Sequence, residues 1–88
     1  MYSVVYRKSV EKIFFKIARK NRKQLEIIYR KIEEIQQNPH HYKNLKRPLQ
    51  YLQRVHVDRS FVLVFSVDEL NMTVVIEDYD HHDNIYNK

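Results

Sequence analysis

"RVHVDRSFVLVFSVDELNMTVVIED", Arg54 to Asp78, is the stretch whose reading decides the fold. In "RVHVD" apolar and polar residues alternate, so Val55 and Val57 take one face of a strand and Arg54, His56 and Asp58 the other. "FVLVFSV", Phe61 to Val67, is apolar on both faces, which predicts a central strand covered from both sides. "DELN", Asp68 to Asn71, is turn-forming, and "MTVVIED", Met72 to Asp78, is rich in β-branched residues and supplies the next strand. Three strands joined by short turns make an antiparallel meander.

Towards the N-terminus the period changes. "YSVVYR", Tyr2 to Arg7, reads as one more strand. Ser9 is the expected N-cap of a helix whose stripe is Val10, Ile13, Phe14, Ile17 and Ala18, with Lys12, Lys16, Arg19 and Lys20 opposite. Asn21, with Gln24 three residues on, resembles a capping box opening a second helix striped by Leu25, Ile28, Tyr29, Ile32 and Ile35. Asn38 and Pro39 end it, because proline disfavours helical geometry in the residue before it. Two stripes with almost no loop between them predict an antiparallel helical hairpin. His40 to Gln53 has no period and reads as a basic loop, with Pro48 able to start a short turn. The expectation is an α+β fold: an N-terminal strand, an antiparallel two-helix hairpin and the three-stranded meander, forming a four-stranded sheet with the helices on one face.

The other face of that sheet then matters for chemistry. Val55 and Val57 are the better core candidates, so Arg54 and His56 fall on the face away from the helices. The loop that carries Lys43, Lys46 and Arg47 leads straight into their strand. A cationic floor with one histidine is expected.

Eighty-eight residues suit a single domain, 1–88, of modest stability. The absence of cysteine excludes a disulfide framework, thiolate catalysis and sulfur-based zinc sites. No apolar run reaches the roughly 18 residues that span a bilayer, and the start lacks a secretory signal's apolar region, so a cytoplasmic protein without a membrane partner is expected. The net charge of +5 is divided unevenly. Met1 to Arg54 carries fourteen Lys and Arg against four Glu, and Val55 to Lys88 two against seven acids. A basic first part fits a polyanionic partner, and it equally fits helices that solvate their outer faces.

The ending "EDYDHHDNIYNK", Glu77 to Lys88, admits three readings: metal ligands, acid and base groups, or a polar tail. If it stays extended, Asp78, Asp80 and His82 share one face and Tyr79, His81 and Asp83 the other. A two-carboxylate, one-histidine metal site is then conceivable but lacks an outside ligand, so no metal and no cofactor are expected.

In order and spacing over nearly the whole chain, the pattern resembles the RelE/ParE toxin superfamily, and specifically its RelE-type mRNA interferases. The parts are "YSVVYRKSVEKIFFKI", the paired helices ending in "NP", "YKNLKRPLQYLQRVHVDRSFVLVFSV", and "IEDYDHHDNIY". Family members show a basic, Leu-rich loop, a hairpin of the type YRVRxxxYRVIYxV, and a closing HRKDVY or HHDxxY. The resemblance implies a ribosome-dependent endonuclease that cuts translated mRNA by attack of a ribose 2′-OH on the adjacent phosphate, with no metal and no small-molecule cofactor. It also implies a cognate, RelB-like antitoxin as partner, besides the ribosome and mRNA.

Carried over, the implied catalytic positions are Arg54, His56, His82 and Tyr86, and the implied RNA-binding positions are Lys43, Lys46, Arg47 and Arg59. The chemistry is consistent with those residue types. RNA cleavage needs a base, an acid and positive charge for the phosphorane, and histidine can serve as either acid or base at neutral pH. The departure is Val62, where the family pattern carries an arginine; Arg59 is the nearest substitute in sequence. Two alternatives stay open: a ParE-like toxin that inhibits gyrase, and a catalytically weakened homologue that acts as an antitoxin-binding module.

Overall fold

In a computed structural model of the chain, which describes residues 1–86, the expected elements form in the expected order. β1 is Ser3–Tyr6, α1 Lys8–Lys20, α2 Arg22–Gln37, β2 Lys43–Asn44, β3 Gln53–His56, β4 Phe61–Asp68, β5 Thr73–His81 and α3 His82–Tyr86. The sheet runs β1-β5-β4-β3-β2. The four anticipated strands are joined by a fifth, the two-residue β2 within the basic loop, where Lys43 pairs with Arg54 and Asn44 with Gln53. β3, β4 and β5 are antiparallel, while β1 lies parallel to β5 at the edge.

α1 and α2 cover one face. Val10, Phe14, Ile28, Ile32 and Ile35 from the helices meet Leu63, Phe65, Val74, Ile76 and Tyr79 from the sheet, with Val55 and Val57 at the margin. Asn21 alone links the helices, and its side chain accepts from the backbone N–H of Gln24, which satisfies one of the donors left free at a helix start. The Gln24 side chain does not reach back, so the capping box is only half formed. Its amide instead donates to the Tyr79 hydroxyl at 2.6 Å and to Asp58 at 3.1 Å, tying α2 to β5 and to the β3–β4 turn. The start of α1 differs from the expectation at Ser9. The helix begins at Lys8, and the carbonyl of Arg7 accepts from Val10 and Glu11. Arg7 is still paired to the sheet through its N–H to Ile76, so the chain turns into the helix directly from β1.

β4 is covered on both faces, as its composition predicts. Against the face away from the helices pack Leu45, Leu49 and Leu52 of the basic loop and Ile85 of α3, seated on Val62 and Val64. A β-bulge shapes β5: Val64 pairs with Asp78 and Phe65 with Ile76, leaving Glu77 as the extra residue. The bulge lets Ile76 and Tyr79, three apart, both enter the helix-covered core. Beyond it the alternation holds, and Asp78 and Asp80 take the opposite face as the cross-strand partners of Val64 and Val62.

Candidate nucleic-acid interface

The sheet register assembles the face away from the helices from single residues. One row runs Lys43, Arg54, Val64, Asp78, and the next His56, Val62, Asp80. The cationic floor is therefore confined to the β2–β3 side and bordered by carboxylates on β5. Asp80 Oδ1 accepts from the His81 N–H and the Asn84 amide, and Asp78 Oδ1 accepts from the Tyr79 N–H. At the bulge of β5, burial pushes the Glu77 carboxyl upward. The Arg7 guanidinium, at 2.9 Å, and the Ser66 hydroxyl, at 2.6 Å, outweigh that and hold it below the ordinary glutamate range.

α3 closes the groove. Among the described residues the strand stops at His81 and the chain turns into one helical turn, so the tail is not extended beyond that point. Ile85 is 3% exposed and anchors the turn. That anchoring sets Tyr86 beside β3, with its ring 6.3 Å from the His56 ring and the Arg54 guanidinium carbon 5.5 Å from its centroid, within cation–π range. Between α3 and the basic loop opens a cavity of about 360 Å³, lined by the exposed Lys46 and Arg47, by Arg54, and by Leu45, Pro48, Leu49 and Ile85. An apolar slot edged by guanidinium and ammonium groups suits a planar ring carrying a phosphate.

Of the sequence candidates, Arg54, His56, Tyr86, Lys46 and Arg47 converge here, and Lys43 flanks Arg54 in the register. His82 lies four residues before Tyr86 and so shares its face of α3. The imidazole of His82 stacks on His81 at 4.5 Å, and its Nδ1 lies 3.0 Å from Asp83. His81 is on the helix-covered side, pairing with Phe61 in the register and meeting its ring edge to face at 5.8 Å. Arg59 is exposed in the β3–β4 turn at the end of the sheet, where the neighbouring Ser60 carbonyl accepts the His82 N–H at 2.7 Å. Val62 is fully buried beneath Ile85, so that position offers the groove no charge. Sequence reasoning missed Leu45 and Ile85, the apolar supports of the slot. "HHDNIY" offers only a single apolar residue as a signal, and its place is set by contact with Val62 and Val64.

The β1-α1-α2-β2-β3-β4-β5-α3 frame is that of the compact toxins of the RelE/ParE superfamily. The chain is 56% identical to a Methanocaldococcus jannaschii protein that carries the provisional name toxin RelE4, over 100% of this chain and 94% of that one, and it belongs to the RelE toxin family. No protein-family model matches it. In fold it is similar to a YoeB/ParE toxin from Agrobacterium tumefaciens, with a TM-score of 0.82, 14% identity, and 91% and 98% of the two chains covered. It is similar also to a chain of the RelBE2 toxin–antitoxin complex from Mycobacterium tuberculosis, with a TM-score of 0.77, 21% identity, and 91% and 96% covered. Among the described residues no helix is long and apolar enough to cross a membrane.

Proposed function

We propose that this toxin-family chain is a ribosome-dependent mRNA endonuclease, held inactive in the cytoplasm by a cognate RelB-like antitoxin. The observation that carries the reading is the docking of Tyr86 over Arg54 and beside His56, at the mouth of a slot rimmed by Lys46 and Arg47. A base stacks on Tyr86 while Arg54, with Lys46, takes the negative charge that develops on the phosphate. His56 and His82 divide the two proton transfers: one takes the proton of the 2′-OH, and the other returns a proton to the leaving 5′-oxygen. Lys43, Arg47 and Arg59 hold the flanking phosphates. The antitoxin enters by analogy with the toxin–antitoxin complex of similar fold.

Incubated with mRNA and translating ribosomes, the chain should cut the message within codons, and it should leave the same RNA intact without ribosomes. His82→Ala combined with Tyr86→Ala should abolish the cut. Intact message on ribosomes refutes the activity, and full cleavage by the double variant refutes the site. The buried Val62, in place of a groove arginine, is the observation that favours the gyrase alternative. Supercoiling by gyrase that is unaffected at equimolar toxin removes it.

A further inference from the structure

We propose that His81, His82 and Asp83 form a binding site for one divalent transition-metal ion of the zinc, copper or nickel class, at the end of β5. Had the strand continued, the two imidazoles would point to opposite faces. Because the chain turns into α3 at His82, the rings instead stack face to face, 4.5 Å apart, and both Nδ1 atoms turn towards Asp83. The carboxylate lies 3.0 Å from His82 Nδ1 and 3.6 Å from His81 Nδ1.

One donor atom from each residue lies within 4.8 Å of the others. Three points so spaced leave a centre no more than about 2.8 Å from each, against roughly 2.0–2.2 Å for metal bonds to imidazole nitrogen and carboxylate oxygen. Each donor therefore moves inward by at most about 0.6–0.8 Å, and the rings rotate so that both nitrogens face the ion, within reach of side chains that are 39 to 67% exposed. The Asp83 N–H donates to His81 Nδ1 at 3.2 Å, while the carboxylate at 3.6 Å is too far for a hydrogen bond. The His81 Nδ1 lone pair accepts that N–H, so metal binding exchanges this hydrogen bond, and the contact of His82 Nδ1 with Asp83, for coordinate bonds. Two nitrogens and one oxygen with no sulfur suit zinc(II), copper(II) or nickel(II) over calcium or magnesium. The remaining coordination position is open to water.

The ion's binding is independent of the proposed nuclease activity. Given that activity, a bound metal withdraws His82 from proton transfer, so the site would restrain the toxin.

The test uses the full, untagged chain, with zinc(II) competing against a chromogenic chelator and copper(II) followed by electron paramagnetic resonance. One equivalent should bind, with nitrogen hyperfine structure, and His81→Ala and Asp83→Asn should each weaken it tenfold or more. The pair His40→Ala with His41→Ala should leave affinity unchanged. Absence of a one-equivalent site, affinity unaltered by His81→Ala, or loss on removing His40 and His41 would each overturn the assignment. Circular dichroism and melting of every variant, compared before loading, separate loss of the ligand from loss of the fold.

Discussion

Ile85→Ala should undock α3 without unfolding the protein. Ile85 is 3% exposed, and its side chain is the buried contact of a five-residue helix, resting on Val62, Val64 and Leu45. Truncating a buried isoleucine costs about 2–5 kcal/mol, and the lower end applies where the neighbouring chain can relax, as a short surface helix can. A loss of about 2 kcal/mol lowers the docked-to-undocked ratio roughly thirtyfold, since 1.4 kcal/mol is a factor of ten. The helix-face core of Phe14, Ile28, Leu63 and Phe65 does not touch this cluster, so the global transition should move by less than that amount. Native-state hydrogen exchange would show the Ile85 and Tyr86 amides exchanging about thirtyfold faster, with the β4 and β5 amides opposite the helices nearly unchanged. In the cleavage assay the variant should lose activity in parallel, because Tyr86 then leaves Arg54 and His56. Equal acceleration at every amide would refute the reasoning, since α3 would then be part of one cooperative unit rather than a docked flap.

Further outcomes follow from single contacts. Hydrogen bonds that outweigh burial hold Asp58 and Glu77 below the ordinary carboxylate range, and the Asn71 side chain does the same for Asp68. Because these groups titrate lower folded than unfolded, their stabilisation is complete above about pH 5 and is lost as pH falls through 4 and below. Melting temperature against pH should show that slope, and Glu77→Gln should flatten it; a slope unchanged in the variant would count against the Arg7–Glu77–Ser66 cluster. Asn21→Ala removes the cap of α2 and should cost about 1 kcal/mol in urea denaturation, whereas no change would mean that the Gln24 side-chain bonds hold the helix start unaided. Met72 closes the β4–β5 turn at φ 49°, a left-handed conformation taken by an ordinary residue in a chain with no glycine. Met72→Gly should stabilise the protein by up to about 1 kcal/mol, and a loss of stability would refute the strain argument.

The helical hairpin and the meander were legible because each depends on a local period. The stripe from Leu25 to Ile35 and the alternation in "RVHVD" repeat within a few residues, and the two-sided apolar run of β4 announced its cover on both faces. What was not legible depends on contacts between distant residues. The bulge at Glu77 shows only when β5 is laid against β4, because the sequence around it keeps an unbroken strand composition. β2 exists only by pairing with β3. The helical turn at His82 is set by Ile85 finding Val62 and Val64, and without that contact "DHHDN" has no reason to stop being a strand. The convergence of Arg54, His56 and Tyr86 was half legible: parity put the first two on one face, and the docked turn delivered the third.

The same docking accounts for Val62. A guanidinium at that position would stand where Ile85 now sits, buried beside Val64 and away from water, at a cost that burying an unpaired charge makes prohibitive. An arginine there is compatible with this frame only if α3 lifts, and a lifted α3 takes Tyr86 away from Arg54 and His56. Valine at 62 and isoleucine at 85 are thus two halves of one arrangement, in which the positive charge of the groove comes from the next strand, at Arg54. The coupling is measurable as a cycle. Val62→Ala and Ile85→Ala should each loosen α3, and together they should cost less than their sum, because the second truncation removes a contact that the first has already emptied.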